Sequence, residues 1–209
     1  MSGLTHLAGM LLSIAALSVL VTSAAFKGGT WHIVSFSIFG VSLVLMYAAS
    51  SLYHLLPLSE EGVRALKRVD HMCIFVLIAG SYTPFCLVAL RETWGWWFFG
   101  VAWTLAFAGI LFKIFWLHAP RLLSTALYVA MGWIAIFAIG PLAKALPPEG
   151  LFWLILGGVI YTIGGIVYAF KWPNPYPRVF GFHEIWHLFV LGGSFCHFWA
   201  VLRHVLYIA

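Results

Sequence analysis

Long apolar segments alternate with short polar breaks along the whole chain. Each segment holds about 20 residues, enough for a helix to cross a hydrocarbon core ~30 Å thick. The breaks contain glycine, proline or charged residues, as turns do. The pattern predicts membrane spans at 4–26, 33–56, 69–90, 96–116, 122–142, 151–170 and 181–206. We therefore expect an all-α fold, a seven-transmembrane helix bundle that forms one domain over residues 1–209.

The composition supports a membrane protein. The chain is 63% hydrophobic and only 8% charged, with a mean hydropathy of +1.01, whereas soluble domains carry about 25% charged residues. The formal net charge of +5 is spread over the loops. It favours contact with anionic lipid headgroups and gives no indication of a nucleic-acid partner.

The distribution of lysine and arginine predicts the orientation. The second, fourth and sixth loops, with their flanks, carry seven of these residues, and the opposite side carries four. Because positive charge is retained inside, we expect the N-terminus in the cytoplasm, the C-terminus outside, and a location in the cell membrane.

His183 and His187 are the most informative pair in the sequence. Residues four apart share one face of a helix, so both imidazoles can point at one metal ion. Ionisable side chains inside a span are costly and often functional. His54 ends the second predicted span and Asp70 begins the third, so the expected topology brings all four residues to the same membrane face.

These residues predict a zinc site. Catalytic zinc usually has three protein ligands and an open fourth position, and His54, His183 and His187 are the candidates. Asp70 could ligate the metal directly, or hold the metal-bound water and act as general base. Ser50, one helical turn before His54, could orient a ligand or donate to a developing oxyanion.

Simpler interpretations exist for two of these residues. Asp70 could form an ion pair with Lys67 or Arg68, and Ser50 could hydrogen-bond its own helix backbone. A structural role for all three imidazoles also remains open.

The other histidines are weaker candidates. His197 lies ~15 Å along the helix from His187, too deep to share a site, and His71 points about 100° away from Asp70. The remaining histidines are expected at the membrane interface: His6, His32, His118 and His204.

The stretch from His183 to His187 also matches the His-Glu-x-x-His motif of zinc proteases. A third ligand downstream is missing, because no acidic residue follows Glu184, and Gly193 stands where an extended motif has histidine. A protease is therefore disfavoured, and Glu184 as catalytic base is a secondary hypothesis.

Three motifs together resemble the progestin and adipoQ receptor superfamily. They are Ser50 to His54, Asp70 followed by the stretch from Gly80 to Pro84, and His183 to His187. The stretch from Trp186 to Phe198, and Thr5-His6 followed by Gly9, are similar to the bacterial hemolysin III branch. The resemblance implies seven helices and a zinc ion near the cytoplasmic face, held by three histidines, with Asp70 contacting its water.

The resemblance also implies a function. Related alkaline ceramidases hydrolyse lipid amides, which suggests a zinc-dependent lipid amide hydrolase that acts in lipid homeostasis of a bacterial inner or plasma membrane. One alternative is a pore-forming haemolysin, although nearly all-apolar spans offer few residues to line an aqueous pathway. Another is a lipid sensor or receptor in which zinc is structural.

Overall fold

The computed structural model describes residues 2–177 and 179–208, and this part of the chain is helical apart from its loops and one isolated bridge between Tyr176 and Phe180. Within these residues, seven helical spans are long and apolar enough to cross a membrane, which confirms the predicted fold class. The α-helices are Ser2–Lys27, Thr30–Leu55, Glu60–Pro84, Gly95–Phe115, Arg121–Trp133, Ile139–Ala145, Pro148–Phe170 and Phe182–Arg203. Arg121–Trp133 and Ile139–Ala145 together form span 5. The other six α-helices belong, in chain order, to spans 1, 2, 3, 4, 6 and 7.

Span 3 begins earlier than hydropathy predicts, at Glu60 rather than at residue 69. The Ser59 side chain accepts a hydrogen bond from the Gly62 N–H at 3.3 Å. Glu60 and Glu61 lie in the first turn, where negative charge interacts favourably with the helix dipole and stabilises the helix. This polar turn is missed by hydropathy because its stability comes from capping rather than from apolar burial.

Spans 3 and 5 each contain a break in the α-helix. Pro84 has no N–H to continue the ladder, and a π-helical turn follows at Phe85–Ala89. In span 5 the break is a 3₁₀ turn at Ile134–Ala138. The Tyr82 hydroxyl lies against this turn, donating to the Gly132 carbonyl at 2.7 Å and accepting from the Ala135 N–H at 2.9 Å.

The spans form a ring. Successive spans pack against one another most extensively between 1 and 2, 2 and 3, and 6 and 7, and span 1 also packs against span 7. Glycine allows the close approach of spans 6 and 7: a side chain at Gly157 would collide with the His197 ring, and one at Gly164 with Phe189.

A buried hydrogen-bond cluster joins spans 2, 6 and 7 in the middle of the bundle. The Tyr47 hydroxyl donates to Ser194 Oγ at 2.7 Å, and the Tyr161 hydroxyl lies 2.8 Å from the same oxygen. Tyr47 and Ser194 are 2% and 6% exposed. Hydrogen bonds of this kind hold helices together where the hydrophobic effect between them is weak.

Candidate metal centre

Three imidazoles converge at one end of the bundle. One ligand atom each from His54, His183 and His187 lies within 4.8 Å of the other two. His54 Nε2 and His183 Nε2 lie 3.2 Å apart. His187 is fully buried, whereas His54 and His183 are half-buried. The structure therefore brings together the three histidines that the sequence predicts as ligands.

The cluster fits a small metal ion. Nitrogen ligands of tetrahedral zinc lie 2.0–2.1 Å from the metal, which separates neighbouring ligands by about 3.3 Å. The 3.2 Å separation of His54 and His183 meets this requirement, and the His187 ring centroid lies 4.5 Å from that of His183. Neutral imidazoles also suit several other divalent metals, so the arrangement supports a metal site without identifying zinc.

The cluster lies where one span ends and another begins. His54 is the penultimate residue of the helix Thr30–Leu55, and His183 is the second residue of Phe182–Arg203. The start of span 7 is fixed by Glu184, whose Oε2 accepts a hydrogen bond from the Gly181 N–H at 2.8 Å. Glu184 also interacts electrostatically with His54 and His183. Its observed hydrogen bond is a helix cap, and a role as base stays a hypothesis.

Ser50 and Asp70 are both buried, at 1% and 4% exposure, and their side chains lie close enough to interact. Oδ1 of Asp70 has no hydrogen-bond partner among the described residues, and no ion pair joins Asp70 to Lys67 or Arg68 in the part of the chain that the structure describes. The ion pair that was the alternative role for Asp70 is therefore not formed.

Asp70 does not belong to the histidine cluster formed by the described residues. Direct ligation by Asp70 and its alternative role, holding a metal-bound water molecule, therefore both stay predictions. Ser50 makes no backbone hydrogen bond of the kind seen at its neighbour Ser51, which donates to the Tyr47 carbonyl.

Span 1 supplies two contacts that the sequence analysis missed. Thr5 Oγ1 lies 3.2 Å from His187 Nδ1, and the His6 ring stacks on the His187 ring. The sequence predicts His6 at the membrane interface, but this is wrong, because the His6 side chain is wholly buried. The Thr5-His6 motif marked these two residues in the sequence, but only the fold shows that span 1 packs against span 7 and brings them to His187.

The remaining histidines lie outside the cluster. His197 is deep in span 7, with Nε2 3.3 Å from the Leu154 carbonyl, as its spacing predicts. His32 is also buried and accepts a hydrogen bond from the Gly29 N–H at 3.1 Å, capping span 2. His118 is exposed between spans 4 and 5.

Known proteins share this chain's sequence over nearly its full length. The sequence model of the Haemolysin-III related family matches residues 1–198. The chain belongs to this family. It is 45% identical over 201 residues to "Hemolysin-3 homolog" of Bacillus subtilis, covering 96% of this chain and 91% of that protein. It is 42% identical over 207 residues to "Hemolysin-3" of Bacillus cereus, covering 98% and 90%.

A more distant relative is human. "Monocyte to macrophage differentiation factor" is 24% identical over 184 residues, covering 84% of this chain and 72% of that protein. The family resemblance predicted from the three motifs is thus confirmed.

A cavity of about 370 Å³ adjoins the histidine cluster in this haemolysin-III-related chain. Residues of spans 2–7 line it, and nearly all of its wall is apolar. Trp186 separates the cavity from the cluster: its ring centroid lies 5.3 Å from those of both His183 and His187. Tyr168 packs on the same indole at 4.4 Å. Apolar space of this size suits a hydrocarbon chain.

Proposed function

We propose that this membrane protein is a zinc-dependent lipid hydrolase that cleaves an amide bond and acts in membrane-lipid homeostasis. The observation that carries the proposal is the combination of His54, His183 and His187 with the buried Asp70 carboxylate, next to an apolar cavity. Metal-dependent hydrolysis needs ligands, a base and a place for substrate, and these features offer all three.

The three histidines would hold the metal through one ring nitrogen each. A bound zinc ion supplies Lewis acidity, which polarises a carbonyl group and acidifies a water molecule. Three ligands leave a fourth position for a reactant. His54 and His183 are the half-buried members of the cluster, so reactants would approach on their side.

Asp70 would act as general base and then as general acid. Its carboxylate accepts a proton as a water oxygen bonds to the amide carbon, and returns it to nitrogen as the C–N bond breaks. The products are a carboxylic acid and an amine. Ser50 would orient the carboxylate by a hydrogen bond, which leaves Oδ1, without a partner among the described residues, for the water.

The cavity would hold the acyl chain. Its apolar wall extends from Trp186, beside the cluster, to His197 in the depth of span 7. A lipid tail in this space would point its amide towards the histidines past the ring of Trp186. The substrate would thus enter from the membrane, in accordance with the seven membrane spans.

The test measures metal content and turnover in the same purified protein. Elemental mass spectrometry in detergent should find about one zinc per wild-type chain and little in His187→Ala, whereas His118→Ala should match wild type. Wild type should also release fatty acid from an N-acyl lipid, and Asp70→Asn should not. Equal release by Asp70→Asn, or a wild type that takes up no zinc, would overturn the proposal.

A lipid sensor with structural zinc is the second candidate. It is favoured by the position of the cluster, which would tie span 2 to span 7 through His54 and His183. For this function, metal binding would raise thermal stability while no lipid amide is turned over. A pore is less well supported, because the cavity is apolar and offers little to hydrate an ion.

A further inference from the structure

We propose that Thr5 and His6 of span 1 form a clamp that positions His187 for metal binding. The proposal rests on the metal site proposed above and adds a third span to it. Thr5 holds one edge of the imidazole, and His6 covers one of its faces.

Thr5 fixes which nitrogen of His187 faces the metal. Its Oγ1 lies 3.2 Å from Nδ1, so with a proton on Nδ1 the ring donates to Thr5 and presents Nε2 for ligation. Hydrogen bonds to the second nitrogen of a metal-bound histidine set its tautomer and orientation, and their loss typically lowers metal affinity 10–100-fold.

His6 fixes the plane of the His187 ring. The two rings are nearly parallel, at 9°, with centroids 3.5 Å apart. His6 also meets the Tyr47 ring edge-on at 5.1 Å, and Tyr47 is held by its hydrogen bond to Ser194. His6 is thus held by contacts with both rings, and its contribution to His187 is the flat face of its own ring.

Gly9 allows this arrangement. A Cβ at this position would lie 2.7 Å from a Leu191 methyl and 2.9 Å from the Tyr47 ring, closer than real side chains come. Glycine one turn after Thr5 and His6 therefore lets span 1 approach spans 2 and 7 closely enough for both contacts to form.

The experiment compares matched pairs of variants in detergent. Affinity for Zn²⁺ is measured by competition with a chelator, and the geometry of the site by the visible absorption of bound Co²⁺. Thr5→Val should weaken Zn²⁺ binding about 10–100-fold and change the Co²⁺ spectrum, whereas Thr5→Ser should retain both. His6→Leu should weaken binding, whereas His6→Phe, which preserves a flat ring, should stay close to wild type. The metal-free melting temperatures of all four identify any variant that fails to fold.

The outcomes separate the two proposals. If wild type binds no metal, the proposed function and the clamp both fail. If wild type binds metal and Thr5→Val binds equally well with an unchanged Co²⁺ spectrum, only the clamp is overturned. Equal weakening by His6→Phe and His6→Leu would overturn the stacking role, because it would show that the ring nitrogens of His6 are required. If Thr5→Val does not fold, the test rests on Thr5→Ser. A Zn²⁺ affinity of Thr5→Ser equal to that of wild type supports the role of Thr5, and a weaker affinity overturns it.

Discussion

The Nε2 atoms of His54 and His183 lie 3.2 Å apart, although 129 residues separate them in the chain. Each belongs to the end of a different span, so a metal held between them would join span 2 to span 7. Such a cross-link contributes to stability as well as chemistry, because a ligand that binds only the folded state stabilises it.

We therefore expect His54→Ala to lower the melting temperature of metal-loaded protein. A metal present at 100 times its Kd stabilises by about 2.7 kcal/mol, which corresponds to roughly 5–10 °C for a chain of this size. Differential scanning fluorimetry with and without chelator measures the effect. Chelator should lower the melting temperature of wild type and His118→Ala but leave that of His54→Ala unchanged.

Asp70→Asn should separate binding from turnover. The variant keeps the shape and burial of the side chain but cannot accept the proton, so hydrolysis should fall about 10²–10⁴-fold while zinc content stays at wild-type level. Ser51→Ala is the matched control, since Ser51 is equally buried and bonds only its own helix. Loss of zinc from Asp70→Asn would instead indicate that the carboxylate is a ligand.

Gly158→Leu should fill the cavity beside the cluster. Gly158 lines this cavity, and a Cβ built there meets no atom within 4 Å. Hydrolysis of long-chain N-acyl lipids should decrease more than that of short-chain ones, with zinc content unchanged. Gly100→Leu, at another open and exposed position, is the control. Equal effects of both variants on all chain lengths would argue against the cavity as the acyl site.

Ser194→Ala should destabilise the middle of the bundle. It removes the oxygen that bonds both Tyr47 and Tyr161, and a buried hydroxyl left without its partner costs about 1–3 kcal/mol. Tyr47 retains a 3.3 Å contact with the Val190 carbonyl, so the loss falls mainly on Tyr161. Unfolding in increasing denaturing detergent measures the change. Ser18→Ala, on the exposed side of span 1, should behave like wild type.

Reporter fusions test the predicted orientation. With the N-terminus in the cytoplasm and seven spans, a C-terminal alkaline phosphatase should be active, whereas one fused after Pro173, in the sixth loop, should be inactive. The opposite pattern would place the metal centre at the outer face and reverse the topology predicted from lysine and arginine counts.

The sequence was sufficient to predict the spans and the convergence of the three histidines, for a physical reason. Apolar length decides what crosses a bilayer, and the spacing of His183 and His187 decides that they share a face. His54 followed from its place at the end of span 2, once the topology put it at the same membrane face. None of these inferences needed the packing of the bundle.

The contacts of span 1 could not be predicted in the same way. Thr5 and His6 are separated from His187 by most of the chain, and no periodicity reports which distant helices touch. The hydrogen bond of Glu184 to the Gly181 N–H was missed for a different reason, because it depends on the geometry of the local turn. Only one of the two helix breaks could be predicted from the sequence. Pro84 marks the break in span 3, but nothing in the apolar run at Ile134–Ala138 marks the break in span 5.

The contact between span 1 and span 7 also sets an order of events during biosynthesis. Thr5 enters the membrane early, but its partner His187 is made 182 residues later, roughly 10 to 40 s at ordinary translation rates. Until then the nascent protein holds only one of the three converging histidines, His54. At the proposed metal site, uptake would thereby be deferred to the finished chain, and a ribosome that stops before span 7 would release a product that cannot be loaded.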